Sequence, residues 1–295
     1  MAERPSIGTW MLAIRPRTLP AALAPVIVGS ALAQADGAFR LLPAAAALAG
    51  ALLLQIAVNL ANDYFDFKKG VDTADRLGPV RVTQSGLIAP ATVRGAMGAT
   101  LAAAGLVGFY LVIVGGWPIA LIGMASIAGV LGYSGGPYPM ASHGLGDLCV
   151  FIFFGPVAVV GTYYVQALAW SWPALFMSLP PGLLITAILV VNNLRDIDTD
   201  RAAGKRTLAV MIGARATRRE YLLLVGSTYG VPLAAYLAGN YPLWILLPFL
   251  SLPLAARAIK MIYTTSGKAL NDGLGRTAML ALVFSLLLAI GLVAA

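Results

Sequence analysis

Residues 41–68 read LLPAAAALAGALLLQIAVNLANDYFDFK. The first 22 of them, Leu41–Asn62, contain no charged side chain, and a helix of that length spans the roughly 30 Å hydrocarbon core of a bilayer. Aspartates follow at once, at 63 and 66. The stretch predicts a membrane-crossing helix that ends in carboxylates.

The rest of the chain has the same character. Of its 295 residues, 59% are apolar or aromatic and 11% are charged, with a mean hydropathy of +0.84; a soluble domain has about 25% charged residues. That composition excludes a cytosolic hydrolase, a disordered chain and a nucleic-acid-binding domain. The net charge of +8 is read as orientation and contact with anionic lipid. One cysteine, Cys149, leaves no internal disulfide and no CxxC metal site, and one histidine, His143, argues against His-rich zinc chemistry. No cleavable leader is expected, because Met1–Trp10 is polar and short and the apolar run after it lacks an A-x-A exit.

Comparable apolar runs recur at Thr18–Ala35, Thr92–Gly115, Pro118–Tyr133, Asp147–Ala169, Ala174–Asn192, Tyr221–Gly239, Pro242–Ile262 and Ala278–Ala295. With Leu41–Asn62 they make nine. The expected fold is an all-α, polytopic membrane bundle of about nine helices, forming a single domain over residues 1–295. The positive-inside rule tests that count. With the N-terminus cytoplasmic, the inside segments hold Arg4, Arg15 and Arg17; Lys68, Lys69, Arg76, Arg81 and Arg94; Arg195, Arg201, Lys205, Arg206, Arg215, Arg218 and Arg219; and Arg257, Lys260, Lys268 and Arg276. That is 19 of the 20 basic residues, with Arg40 outside.

Carboxylates at a membrane are costly and mark function. Seven of the 12 acidic residues fall in two clusters, Asp63/Asp66/Asp72/Asp75 and Asp196/Asp198/Asp200, each at the cytoplasmic end of a predicted helix. Asn59, Asn62, Asp63 and Asp66 follow an i, i+3, i+4, i+7 pattern, and Asn192, Asp196 and Asp200 an i, i+4, i+8 pattern, so each set lines one helical stripe. Two facing acidic stripes repel unless a cation lies between them. Hard oxygen donors suit Mg²⁺ completed by phosphate oxygens, and the interleaved Lys68, Lys69, Arg76, Arg81, Arg195, Lys205 and Arg206 suit the remaining phosphate charge. Acids for a metal and bases for an anion describe a diphosphate site; ordinary solvated loops of mixed charge are the competing explanation.

At these residues the chain resembles the UbiA superfamily of intramembrane prenyltransferases. The likeness is carried by Arg15-Pro-Arg-Thr-Leu-Pro-Ala, by N-D-Y-F-D-x-x-x-G-x-D-x-x-D-R from Asn62 with Gly78-Pro-Val-Arg81 and Gln84-Ser-Gly, by Tyr133-Ser-Gly-Gly-Pro-Tyr-Pro, and by N-N-L-R-D-I-D-T-D-R-x-x-G-K-R-T-L from Asn192. It is most similar to the branch acting on 1,4-dihydroxy-2-naphthoate. Some relatives carry a third aspartate four residues after the second, where this chain has Gly70, with Asp72 two residues on.

The resemblance implies an Mg²⁺-dependent aromatic prenyltransferase that moves a polyprenyl group from polyprenyl diphosphate to 1,4-dihydroxy-2-naphthoate, with loss of CO₂, giving demethylmenaquinone. It implies two Mg²⁺ ions, replaceable by Mn²⁺, on Asp63, Asp66, Asp196 and Asp200, with Asp72 as a further ligand, and diphosphate contacts from Lys68, Arg76, Arg81, Lys205 and Arg206. Asn59, Asn62, Asn192, Asn193, Arg15, Tyr133, Tyr138 and Asp147 are expected near substrate, and Tyr133, Tyr138, Phe153 and Phe154 are candidate aromatic lining for an allylic cation. The isoprenoid tail is expected in a groove among Ala47, Gly50, Ala57 and Ala61, open to the bilayer of the cytoplasmic membrane. Neighbouring branches acting on 4-hydroxybenzoate or homogentisate, and a cation-coupled transporter, are the rival functions.

Several residues have two readings. Asp147 is either a helix cap or an acceptor-site residue. Arg15 is a topology signal or a clamp for an acceptor carboxylate. His143 is a proton acceptor or an incidental loop residue. Trp117, Trp170, Trp172 and Trp244 are expected in an interfacial belt.

Overall fold

The computed structural model describes residues 5–71 and 77–295. Arg4 and three members of the first charged cluster, Asp72, Asp75 and Arg76, lie outside the described residues. Among the described residues there is no strand, as expected where lipid supplies no partner for backbone polar groups and a helix supplies them all.

Helix α1 (Ile7–Ile14) meets α2 (Pro20–Ala35) at a 47° bend. Arg15, with φ 56 and a proline on its C-terminal side, ends α1, and the bend itself falls between Thr18 and Pro20. Then come α3 (Leu41–Lys68), α4 (Pro90–Gly115) and α5 (Trp117–Ser134), with α4 and α5 joined through Gly116 alone at φ 71. Helix α6 (Gly146–Ile152) passes through a π turn at Phe153–Val157 into α7 (Ala158–Ala167). Helices α8 (Trp172–Met177) and α9 (Leu179–Arg195) make the next span, followed by the short α10 (Ile197–Ala202) and by α11 (Leu208–Leu237). A 3₁₀ segment, Leu243–Ser251, leads into α12 (Leu252–Thr264), and α13 (Leu270–Val293) ends the chain.

Seven of these units are long and apolar enough to cross a membrane, or eight when the bent α1–α2 pair counts as one span. They coincide with eight of the nine expected spans. The other, Tyr221–Gly239, lies on α11 through Leu237, where Ser227, Thr228 and three tyrosines dilute its apolarity. The protein is an integral membrane helical bundle.

Inside lipid, helices associate by close fit rather than by escape from water. A Cβ on Gly29 of α2 would lie 2.6 Å from the Val159 carbonyl oxygen of α7, and one on Gly182 of α9 would lie 3.0 Å from the Gly155 Cα in the π turn. These glycines let backbones touch. A larger apolar cluster joins α2, α7, α9, α11 and α13 around Leu184, Tyr221 and Phe284. A smaller one packs Ala57, Leu60 and Ala61 of α3 against Val82, Ile88, Val93, Met97 and Val130. Trp117, Trp170, Trp172 and Trp244 are all exposed. Helices from both clusters border one cavity of about 1630 Å³.

Candidate active site

Each acidic motif sits on a helix end of the same construction. Helix α3 stops because Gly70 takes φ 66: the Gly70 N–H donates to Phe67 O and the Val71 N–H to Asp66 O, both at 3.0 Å. Helix α10 stops in the same way. Gly204 has φ 75, its N–H donates to Arg201 O at 3.1 Å, and the Lys205 N–H donates to Asp200 O at 2.9 Å. Both are the glycine-terminated pattern in which a left-handed residue turns late N–H groups back onto the last carbonyls. Asp66 and Asp200 therefore hold the same position in two Asp-x-x-x-Gly helix ends. A carboxylate at a helix C-terminus opposes the helix dipole, and a cation relieves it. That cation here is Lys205, whose Nζ lies 3.9 Å from Asp66 Oδ2 and 3.6 Å from Asp200 Oδ1. Arg81 adds a second charge, donating from Nη2 to Asp66 Oδ2 at 3.1 Å.

The other two motif aspartates are held differently. Neighbours on a helix point about 100° apart, so Asp63 cannot share the direction of Asn62. Asn62 lines the cavity and accepts from Ser134 Oγ at 2.6 Å. Asp63, 1% exposed, accepts the backbone N–H groups of Val82 (3.1 Å) and Thr83 (2.9 Å) and so fastens the loop that carries Arg81. Asp196 takes a two-pronged bond from its neighbour Arg195. The same guanidinium donates to Asn192 Oδ1 at 2.8 Å and to Asn271 Oδ1 at 2.7 Å, and Asn271 Nδ2 donates to Leu77 O at 2.9 Å. Arg195 thus ties the second motif, the start of α13 and the end of the first motif into one network. Lys69 Nζ donates to Ser134 O at 2.7 Å, joining α3 to α5.

The cavity adjoins this cluster through Asn62, Asn192 and Arg195, with Arg15, Arg17, Lys268, Asn271, Asp272 and Arg276 around its polar end. Away from it the wall is apolar and includes Ala47, Gly50, Leu54, Ala104, Gly108, Ile119 and Ile127. Phe109 and Met124 line it while being 67% and 61% exposed, so it opens sideways toward the lipid-facing surface. Tyr133, Phe153 and Phe154 give it aromatic lining. The π turn at Phe153–Val157 re-aims that wall, as such turns often do at functional sites.

Asn59 lines the cavity and donates to Ile14 O (2.8 Å) and Thr18 Oγ1 (2.9 Å), holding the α1–α2 bend. Tyr138 lies off the cavity, stacked on His143 with ring centroids 3.6 Å apart, and His143 Nδ1 is 2.8 Å from Pro139 O. Asn193 and Asp147 are buried at 8% exposure but line no part of the cavity, and Asp147 makes no side-chain cap. Lys68 and Arg206 are exposed away from it. Ala57 and Ala61 are fully buried in the smaller core, whereas Ala47 and Gly50 do line the cavity. Lys268 and Arg276 count in the sequence only as orientation charges, and Asn271 and Asp272 carry no signal there, because these residues sit far along the chain at the start of α13 with no motif around them. Gln55 also lines the cavity, and its one signal in the sequence is a lone glutamine in LLLQIAV.

A polytopic helical bundle in which two aspartate-bearing helix ends share a cation beside a lipid-open cavity has the architecture of a membrane-embedded site for a ligand with a charged head and an apolar chain. Residues 22–272 match the UbiA prenyltransferase family, and the chain belongs to that family. It is 41% identical over 286 residues to the 1,4-dihydroxy-2-naphthoate octaprenyltransferase of Mycobacterium tuberculosis, covering 96% of each chain. It is 39% identical over 292 residues to the Escherichia coli protein of that name, covering 96% of this chain and 94% of the relative. Its fold is similar to that of a UbiA homologue from Archaeoglobus fulgidus bound to DMAPP and Mg²⁺, with a TM-score of 0.63 and 14% identity over 97% of this chain and 99% of that one.

Proposed function

We propose that this prenyltransferase moves a polyprenyl group from polyprenyl diphosphate to 1,4-dihydroxy-2-naphthoate, with release of diphosphate and CO₂, giving the prenylated naphthalene-1,4-diol, the reduced form of demethylmenaquinone. The two bacterial relatives bear that acceptor in their names at 41% and 39% identity. The observation that carries the reading is Lys205 held between Asp66 and Asp200, next to a cavity whose far wall is apolar and open to lipid. One end suits a charged headgroup and the other an isoprenoid chain.

The donor set fits Mg²⁺. Carboxylate oxygens are hard ligands, and the space between Asp66 and Asp200 accepts positive charge, since it takes an ammonium. Among the described residues no three carboxylate, imidazole or thiol groups come together as a metal site on their own. Mg²⁺ commonly binds through one or two carboxylates plus substrate phosphates and needs no such site. The A. fulgidus homologue holds Mg²⁺ together with DMAPP. We place two Mg²⁺, replaceable by Mn²⁺, on Asp66, Asp196 and Asp200, with Asp72 as a further ligand and Asp63 securing the adjoining loop. Bound there, the metal would neutralise the diphosphate and make it a better leaving group.

The chain's own residues do the rest. Arg81 and Lys205 bind and orient the diphosphate, with Lys68, Arg76 and Arg206 supplying surrounding charge. The tail lies along Ala47, Gly50 and Gly108 toward the lateral opening. As the allylic C–O bond breaks, Tyr133, Phe153 and Phe154 stabilise the developing positive charge, and the apolar wall excludes water that would otherwise capture it. Arg15 orients the acceptor carboxylate so that the ring carbon meets the allylic carbon. By the segregation of basic residues, the N-terminus and the site face the cytoplasm of a cytoplasmic membrane. We take residues 1–295 to act as one domain.

The reading is tested by offering purified protein one polyprenyl diphosphate with 1,4-dihydroxy-2-naphthoate, 4-hydroxybenzoate or homogentisate. Prenylated, decarboxylated naphthalene product is expected; dominant prenylated hydroxybenzoate would overturn the acceptor assignment.

A further inference from the structure

We propose that Gln55 is a specificity-determining residue, accepting a hydrogen bond from a ring hydroxyl of the aromatic acceptor; this rests on arene prenylation as proposed above. Gln55 extends the polar stripe of α3 toward the middle of the membrane: Gln55, Asn59, Asn62 and Asp66 stand at i, i+4, i+7 and i+11, on one helix face. Its neighbours in sequence, Leu52–Leu54 and Ile56–Val58, are apolar. A primary amide in such a segment is costly unless its hydrogen bonds are made.

Only half of this amide is used. Gln55 Nε2 donates to Thr18 Oγ1 at 3.2 Å. Thr18 in turn donates its hydroxyl proton to Arg15 O at 2.9 Å and accepts from Asn59 Nδ2 at 2.9 Å. One proton and two lone pairs are all a hydroxyl has. Thr18 therefore has no proton left for a carbonyl, and the amide must present its NH₂ to it. The orientation of Gln55 follows from that chemistry, and its Oε1 is directed elsewhere. Gln55 is 8% exposed and lines the cavity, and among the described residues its buried Oε1 has no hydrogen-bond partner.

An unmet acceptor on a residue that borders the cavity selects a ligand that donates. Of the groups in the proposed reaction, an isoprenoid tail has no donor, and diphosphate and carboxylate are acceptors. The hydroxyl of the arene can donate. Such a bond places the ring about two turns deeper than Asn62 and moves electron density from the O–H bond into the ring that attacks the allylic carbon.

The test uses two variants. Gln55→Met keeps the length and removes the amide; Gln55→Asn keeps the amide and withdraws it by one methylene. Each is compared with the wild type on the hydroxylated acceptor and on its mono-O-methyl ethers. The expected result is a roughly tenfold rise in acceptor KM, an unchanged donor KM, and loss of the wild-type preference for hydroxyl over ether at one ring position. Equal losses for hydroxyl and ether, or a preference retained in either variant that purifies, would overturn the role. Calorimetric binding of the same arenes without donor reads that preference independently of transfer. Absence of transfer with the preference intact and dependent on Gln55 would remove the reaction and leave this assignment standing.

Discussion

Asp66 and Asp200 occupy the same position of two glycine-terminated helix ends and share one ammonium, Lys205 Nζ, at 3.9 and 3.6 Å. Two carboxylates that approach one cation form one electrostatic unit. Removing the cation leaves them repelling each other at low dielectric. Lys205→Met is expected to lower prenyl transfer by roughly 10²-fold, the usual cost of a lost preorganised donor, with a raised KM for the diphosphate donor. Steady-state kinetics on purified protein check this; an unchanged donor KM would show that Lys205 does not touch diphosphate.

The helix ends themselves are open to substitution. A Cβ added at Gly70 or Gly204 would meet nothing within 4 Å, yet both have positive φ. Any effect of alanine there is backbone strain, about 1–2 kcal/mol, and not a clash. Gly204→Ala is expected to lower thermal stability and raise the Mg²⁺ concentration for half-maximal activity, while Gly204→Asn, which tolerates the left-handed region, loses less. Melting curves and Mg²⁺ titrations compare the two, and equal behaviour of both variants would count against the terminator role.

Asp63 fastens the Val82–Thr83 backbone. Asp63→Ala leaves two buried N–H groups without a partner, at about 1–3 kcal/mol for each such group. A lower melting temperature and a loosened Arg81 loop are expected, with the Mg²⁺ half-saturation of the remaining activity near wild type. A large rise in Mg²⁺ demand with no change in melting would instead assign Asp63 to the metal.

Arg195, 3% exposed, binds Asp196, Asn192 and Asn271 through one planar fork. Lysine keeps the charge but cannot reproduce that geometry. Arg195→Lys is expected to cost at least about tenfold in kcat/KM, since the bonds it breaks are charge-assisted, and Asn271→Ala to reproduce part of the loss. A wild-type rate in Arg195→Lys would show that the network does not position the second motif.

How much of this was legible beforehand depends on the range of the interaction involved. Spans such as Leu41–Lys68 and Trp172–Arg195 follow from apolar length, a local quantity. The segment near Tyr221 is harder, because Tyr221, Thr228 and Tyr229 are polar in composition yet buried between helices. Helical spacing grouped Asn62 with Asp63, but two adjacent residues diverge, and one borders the cavity while the other holds a loop. The glycine ends stand in the sequence as Asp-x-x-x-Gly in both motifs, but only the positive φ of Gly70 and Gly204 shows them to be helix terminators. What the sequence could not display is the meeting of α9 and α13 with the loop at Leu77. Asn271 and Arg276 enter the cavity wall through packing of segments some 200 residues apart, and Tyr138 leaves it because His143 offers a stacking partner four residues beyond Pro139.

The most direct measurement is a double-mutant cycle on Mg²⁺-dependent prenyl transfer with Asp66→Asn, Asp200→Asn and the pair together. If the two helix ends build a single metal–diphosphate site, each single variant falls by roughly 10³-fold or more and the double variant is scarcely worse, because residues acting as a unit are strongly non-additive. A single variant that keeps the wild-type rate, or losses that simply multiply in the double variant, would contradict a shared site.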